Sequence, residues 1–238
     1  MTGSEIPQPR YLIVNADDLG ASAAVNRGIL EAHTRGIVTS ASLMVEMPGA
    51  EDFAARADLA PALSVGMHAT LTSEGGELLF DAGSSRGEVE RQLERFEALL
   101  GRRPTHLDSH HNVHLEQPFS EIFIGIAAER ELPLRGFSGV RYFADFYGQW
   151  DDGETHLEQV SVEMLSAMLA TETLSGATEF GCHPGYAGDG FASSYLMERE
   201  AEVRTLCDPR VRARIEELEL ELIGFAELPA GLGSRQAG

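Results

Sequence analysis

From Tyr11 onward the chain alternates between two patterns. Short apolar runs rich in Val, Ile, Leu and Phe predict buried strands, and longer stretches with apolar residues every three or four positions predict amphipathic helices. The strand-like runs are 11–16, 38–45, 63–67, 105–108, 134–140, 178–182 and 220–225. Between them, Val25, Ile29 and Ala32 form one helical stripe before Gly36, and Val89, Leu93, Phe96 and Leu100 form another before Gly101. A glycine just past the last apolar position suits a helix C-terminus. A third stripe, Val211, Ile215 and Leu218, follows Asp208-Pro209, an N-cap residue with proline at the first helical position. Strand followed by helix, repeated, predicts a parallel sheet.

An open doubly wound sheet and a (β/α) barrel both satisfy that order, and the polar residues favour the barrel. Asp17 and Asp18 close the first run, Glu46 the second, His68 the third, Asp108 and His110 the fourth, Arg141 the fifth and His183 the sixth. Chemistry at the C-terminal end of nearly every strand is the habit of a barrel, whereas an open sheet gathers it at one switch point. The expectation is a TIM-like barrel, incomplete or of seven strands. No Gly-x-Gly-x-x-Gly turn or Gly-Lys-Ser/Thr phosphate loop is present, so no nucleotide cofactor is indicated.

With 238 residues, 43% of them hydrophobic, and no linker-like stretch, a single domain over 11–228 is expected, with flexible ends at 1–10 and 229–238. The 38 acidic residues outnumber 18 basic ones, a formal charge of −20, which disfavours binding to nucleic acid or to anionic lipid. There is neither a signal-like N-terminus nor an apolar stretch near the roughly 20 residues that span a bilayer, so a cytoplasmic protein without membrane insertion is expected. Cys182 and Cys207 are too few for a disulfide framework, and Cys182 reads as a small buried apolar residue.

The candidate chemistry sits in four places. Asp17-Asp18-Leu19-Gly20 is either a capped turn or a pair of site carboxylates, one toward a metal and its neighbour toward a substrate water. His68, in apolar surroundings, is by itself more readily a core histidine than a ligand. Four histidines and an aspartate between His106 and His114 are costly to crowd together unless some are neutral ligands or are held by carboxylates. His183 lies between an apolar strand and a Pro-Gly turn, and His106 reads as a residue behind the ligands. His33 and His156 read as surface residues. Carboxylate and imidazole donors suit zinc, iron, manganese, cobalt or nickel, and with more oxygen also magnesium.

Taken together, 12–20, Asn26-x-Gly28-Ile29, 36–42, Gly66-Met67-His68, His106-x-Asp108-Ser109-His110, His114 and Cys182-His183-Pro184-Gly185-Tyr186 resemble the YdjC-like carbohydrate deacetylase family, in order and over nearly the whole chain. The resemblance implies a (β/α) barrel that removes an N-acetyl group from an amino sugar, such as a chitooligosaccharide or a hopanoid-linked sugar. It also implies one divalent ion, Mg2+ or Zn2+, held by Asp18, His68 and a third ligand, His110 with His114 as competitor. Asp17 becomes the general base, and His183, with an ordinary imidazole pKa of about 6.5, the donor to the departing amine. The chain departs from the commoner pattern at Asn112 and Glu46 and is short between His68 and Val89, where loops shape a sugar site. The aromatics Phe137, Tyr142, Phe143, Phe146, Tyr147 and Trp150 could stack on sugar or cover a homodimer interface. A metal-dependent sugar isomerase or epimerase, or a non-catalytic carbohydrate-binding protein, would use the same scaffold.

Overall fold

The structure, a computed structural model, describes residues 9–150, 153–173, 175–188 and 191–233. Its seven strands are β1 (Arg10–Leu19), β2 (Ser40–Leu43), β3 (Ser64–Ala69), β4 (Leu107–Ser109), β5 (Val140–Phe143), β6 (Gly176–Cys182) and β7 (Glu221–Leu222). The helices are α1 (Ala23–Arg35), α2 (Ala50–Ala54), α3 (Ala82–Leu100), α4 (Phe119–Arg130), α5 (Val162–Glu172), α6 (Met197–Leu206) and α7 (Pro209–Glu217). All the strand pairings are parallel, in the order β4-β3-β2-β1-β6-β5, with β7 beside the start of β1.

Strand β1 is the axis of the sheet. Leu12, Val14 and Ala16 enter the main core, while Ile13 points the other way and packs with Val140, Ala177, Ile223 and Phe225. Burial on both faces is why the segment reads as a continuous apolar run. The predicted helix signals operate as expected. Asp208 caps α7 ahead of Pro209, and α1 is capped by Ser22, a residue the sequence pattern did not single out, through Val25 N. Gly101, with φ 63°, ends α3.

Of the two expected forms, an incomplete barrel or one of seven strands, the strands make a parallel half-barrel sheet, and a complete seven-strand barrel is not formed among the described residues. The reason lies in the predicted strand 134–140, which divides. Leu134 bridges Leu107 of β4, the chain then turns with Phe137 N and Ser138 N donating to Leu134 O, and only Val140 onward pairs with β6. No single strand therefore joins β4 to β5 along its length. Strand β7 flanks only Tyr11 and Leu12, below the point at Asn15 where β2 joins.

The described segments reach into both ends of the chain. Arg10 opens β1, and Leu232 packs against the cluster around Ile13. Residues 1–8 and 234–238 lie outside the described segments. Among the described residues no helix is long and apolar enough to cross a membrane.

Candidate functional site

Asp17 and Asp18 are the eighth and ninth residues of β1, inside the strand's end rather than beyond it. A regular strand would send them to opposite faces. Here the pairing with β2 slips between Ala16 and Leu19, and Asp18 adopts φ 64°, a conformation uncommon for a residue with a Cβ. The irregularity brings both carboxylates to the same buried site, each within reach of a histidine. Asn26 of α1 holds the turn that follows, accepting from Gly20 N at 2.7 Å and donating to Gly49 O at 2.8 Å.

Asp18 Oδ1 lies 3.5 Å from His68 Nε2 and 3.2 Å from His110 Nδ1. It is buried without a hydrogen-bond donor, and these three atoms all lie within 4.8 Å of one another. His68 is oriented from behind: its Nδ1 is 2.7 Å from Asp108 Oδ1, and Ser42 Oγ donates to Asp108 Oδ2 at 2.6 Å. Burial would lower the His68 pKa, but Asp108 and then Asp17 raise it to about 10. Burial would likewise raise the Asp18 carboxyl, yet the Arg199 guanidinium holds it well below the ordinary range. His110 Nε2 faces Glu74 Oε1 at 3.4 Å, on the short hairpin closed by the Thr72–Leu78 bridge.

His114 does not join this group. Its Nδ1 is 2.8 Å from Ser109 Oγ, its ring tilts against Phe123, and burial pushes its pKa down to about 3. Asp17, His68 and Asp108 also converge, but Arg135 already occupies both of those carboxylates.

Arg135 was not singled out by the sequence pattern. It is 1% exposed and grips Asp17 with two hydrogen bonds, Nη1 to Oδ2 at 2.8 Å and Nη2 to Oδ1 at 2.7 Å. It also meets Asp108 Oδ2 at 2.9 Å and Glu179 Oε1 at 2.7 Å. Burial alone would raise the Asp17 pKa; Arg135 lowers it. Burial lifts Glu179 to about 7 despite Arg135. The only signal was a lone arginine just after Leu134 in an apolar run. Arg141, expected at the site, instead bonds the Glu172 carboxylate at 2.5 Å on the outside, and Glu46 pairs with Arg91 and Arg95. Asn112 takes φ 52°, which asparagine tolerates, and turns its side chain to Arg135 and Tyr142.

His183 follows β6 directly, with Nε2 3.9 Å from Asp17 Oδ2. Burial pushes its pKa to about 4, so the ordinary imidazole value does not apply. The turn after it is held against α1, where a Cβ on Gly28 would stand 2.5 Å from Gly185 Cα.

The remaining predicted residues fall as follows. His106 is fully buried behind the site, with Nε2 3.0 Å from Ser42 Oγ. Cys182 is fully buried, its thiol donating to Asn15 O. His33 and His156 are partly buried rather than freely solvated: His33 Nδ1 contacts Val38 O, and His156 stacks on Trp150. Of the aromatic segment, Tyr142 covers the Arg135 guanidinium at 4.5 Å, Phe146 is core, and Tyr147 packs edge-on to His183.

One carboxylate and two imidazoles around an orphaned oxygen are a donor set for a first-row divalent ion with room for water. The residues present therefore fit a bound metal, and the Asp108–His68 pair supplies the supporting contact such ligands need.

A family model described as YdjC-like protein matches residues 11–217. The chain belongs to the YdjC-like protein family. A carbohydrate deacetylase from Geobacillus stearothermophilus is 39% identical, the match covering 92% of this chain and 98% of that protein. A chitooligosaccharide deacetylase from Serratia marcescens is 31% identical, over 92% of this chain and 99% of that protein. Among solved structures, a candidate cellobiose-phosphate cleavage protein from Enterococcus faecalis aligns with a TM-score of 0.78 at 28% identity, covering 91% and 98% of the two chains. A family 4 carbohydrate esterase from Streptomyces lividans shares the fold, with a TM-score of 0.57 at 12% identity over 90% and 92%.

Proposed function

We propose that this YdjC-like protein is a divalent-metal-dependent carbohydrate deacetylase that hydrolyses the N-acetyl group of an amino sugar. Its named relatives are carbohydrate and chitooligosaccharide deacetylases. The observation that carries the reading is the unpartnered Asp18 Oδ1 facing His68 and His110, with the Arg135-held Asp17 beside it. Asp18, His68 and His110 would hold the ion, Zn2+ or Mg2+, and a bound ion would polarise the acetyl carbonyl and lower the pKa of water.

Asp17 accepts the proton of the attacking water. Arg135 fixes its orientation through two charge-assisted bonds, and the attached Asp108 and Glu179 dilute the guanidinium's pull on its basicity. His183 is neutral in the resting site, so to act on the leaving nitrogen it must first take up a proton. Asp17 Oδ2, 3.9 Å from Nε2, is placed to relay one. The amine then leaves protonated. His68, raised to about 10 by Asp108 and Asp17, would give up its proton on holding an ion.

The test is an acetate-release screen over N-acetylglucosamine, its oligosaccharides and lipid-linked amino sugars, with product mass measured alongside. Acetate that disappears with chelator supports the reading. A product of unchanged mass would point to an isomerase or epimerase.

A further inference from the structure

Helix α6 sends three buried charged side chains, Glu198, Arg199 and Glu202, inward on one side. Glu202 accepts from His183 N and from the Tyr195 hydroxyl, while Glu198 accepts from Gln149 and Thr155 of the hairpin beyond β5. Arg199 does something different. Its Nη2 donates to Asp18 Oδ2 at 2.6 Å, with both side chains 3% exposed, and its Nη1 donates to His183 O at 3.3 Å. One guanidinium thus joins the end of β1 to the turn after β6.

A fixed positive charge beside a carboxylate that is to bind a cation weakens cation binding. What Arg199 does is divide the two oxygens. Oδ2 is occupied, and Oδ1 alone is left without a donor.

We propose that Arg199 is a positioning residue that restricts Asp18 to one free oxygen and sets the spacing between Asp18 and the His183 turn. The proposal rests on the reading that Asp18, His68 and His110 hold a divalent ion. A carboxylate limited to one oxygen disfavours large hard ions, which gather many oxygens and take carboxylates two oxygens at a time, and suits a small ion of low coordination number. Arg199 therefore trades ion affinity for ion selectivity and for order at the base and the acid.

The test uses the full chain stripped by chelator. Zn2+ and Ca2+ affinities are measured by competition with an indicator for the wild type, Arg199→Met and Arg199→Lys, with kcat and KM for acetate release. Arg199→Met is expected to bind Zn2+ roughly tenfold more tightly, because the repelling charge is gone. It should gain still more for Ca2+ and lose kcat more than it changes KM. Arg199→Lys restores the charge and is expected to return Zn2+ affinity to near wild type. Unchanged or weaker Zn2+ binding by a folded Arg199→Met protein overturns the proposal, since a purely structural arginine would give that result. If Arg199→Met shows no cooperative unfolding, Arg199→Lys decides: wild-type Zn2+ affinity with reduced kcat supports the proposal, and a roughly tenfold shift of affinity in either direction overturns it. Absence of ion binding by the wild type would instead overturn the metal reading, and the proposal with it.

Discussion

His68 and Asp108 are register partners on the adjacent strands β3 and β4, with Nδ1 and Oδ1 2.7 Å apart. Residues paired across a sheet share a face, so the sheet itself delivers the carboxylate that fixes the imidazole. With Nδ1 held, Nε2 is the nitrogen turned toward Asp18 Oδ1. Asp108→Asn should weaken divalent-ion binding about 10- to 100-fold, as loss of such supporting contacts does elsewhere. Calorimetric titration of the chelator-stripped variant checks this, and wild-type affinity would show that Asp108 serves only Arg135.

Gly66 is required by contact rather than by conformation. A Cβ there would stand 2.4 Å from His106 Cε1, and that ring stacks on Phe225 at 3.9 Å with no room to withdraw. Gly66→Ala should cost about 1–3 kcal/mol of stability, the usual penalty for overpacking. It should also lower activity, because His106 contacts Ser42, which holds Asp108. A thermal melt of Gly66→Ala alone and combined with His106→Ala distinguishes the cause: the double variant should recover part of the loss.

Two sets of buried groups give opposite pH dependence. Burial lowers His106 and His183 to about 4 and His114 to about 3, so below about 6.5 the unfolded chain takes up protons that the folded chain refuses, and stability is lost as pH falls. Glu202 is the reverse. Burial raises it to about 8, so its contribution is fully present below about 4.5 and is lost as pH rises through 8. The melting temperature of Glu202→Gln relative to wild type should therefore be higher at about pH 9 than at about pH 5. An equal difference at both pH values would mean that Glu202 titrates normally.

On the proposed reading, Asp17, held by Arg135, is the base and not one of the ion's ligands. Asp17→Asn should lower kcat by about 10²- to 10⁴-fold, the range for a general base, while divalent-ion affinity stays near wild type. Loss of ion binding in parallel with activity would place Asp17 among the ligands.

How far the sequence carried this site depends on the residue. Asp17, Asp18, His68, Asp108, His110 and His183 stand next to apolar strands, and strand-end placement brought them into view. Their grouping depended on features with no local pattern: the left-handed Asp18 and the register slip beside it. Arg135 and Arg199 were out of reach for a related reason. Each is an arginine among ordinary neighbours, and only the tertiary fold shows it buried against aspartates 118 and 181 residues away. The sequence did not separate an incomplete barrel from a complete one, because a run can predict an extended segment at 134–140 without revealing that it pairs first with β4 and then with β6.

The most direct test of the central claim is acetate release from N-acetylglucosamine oligosaccharides by chelator-stripped protein, before and after a single equivalent of Zn2+ or Mg2+ is restored. The account predicts no acetate before, and release that rises with bound ion and saturates at one per chain. Acetate release that is undiminished in the stripped protein, or none at all with the ion bound, would contradict it.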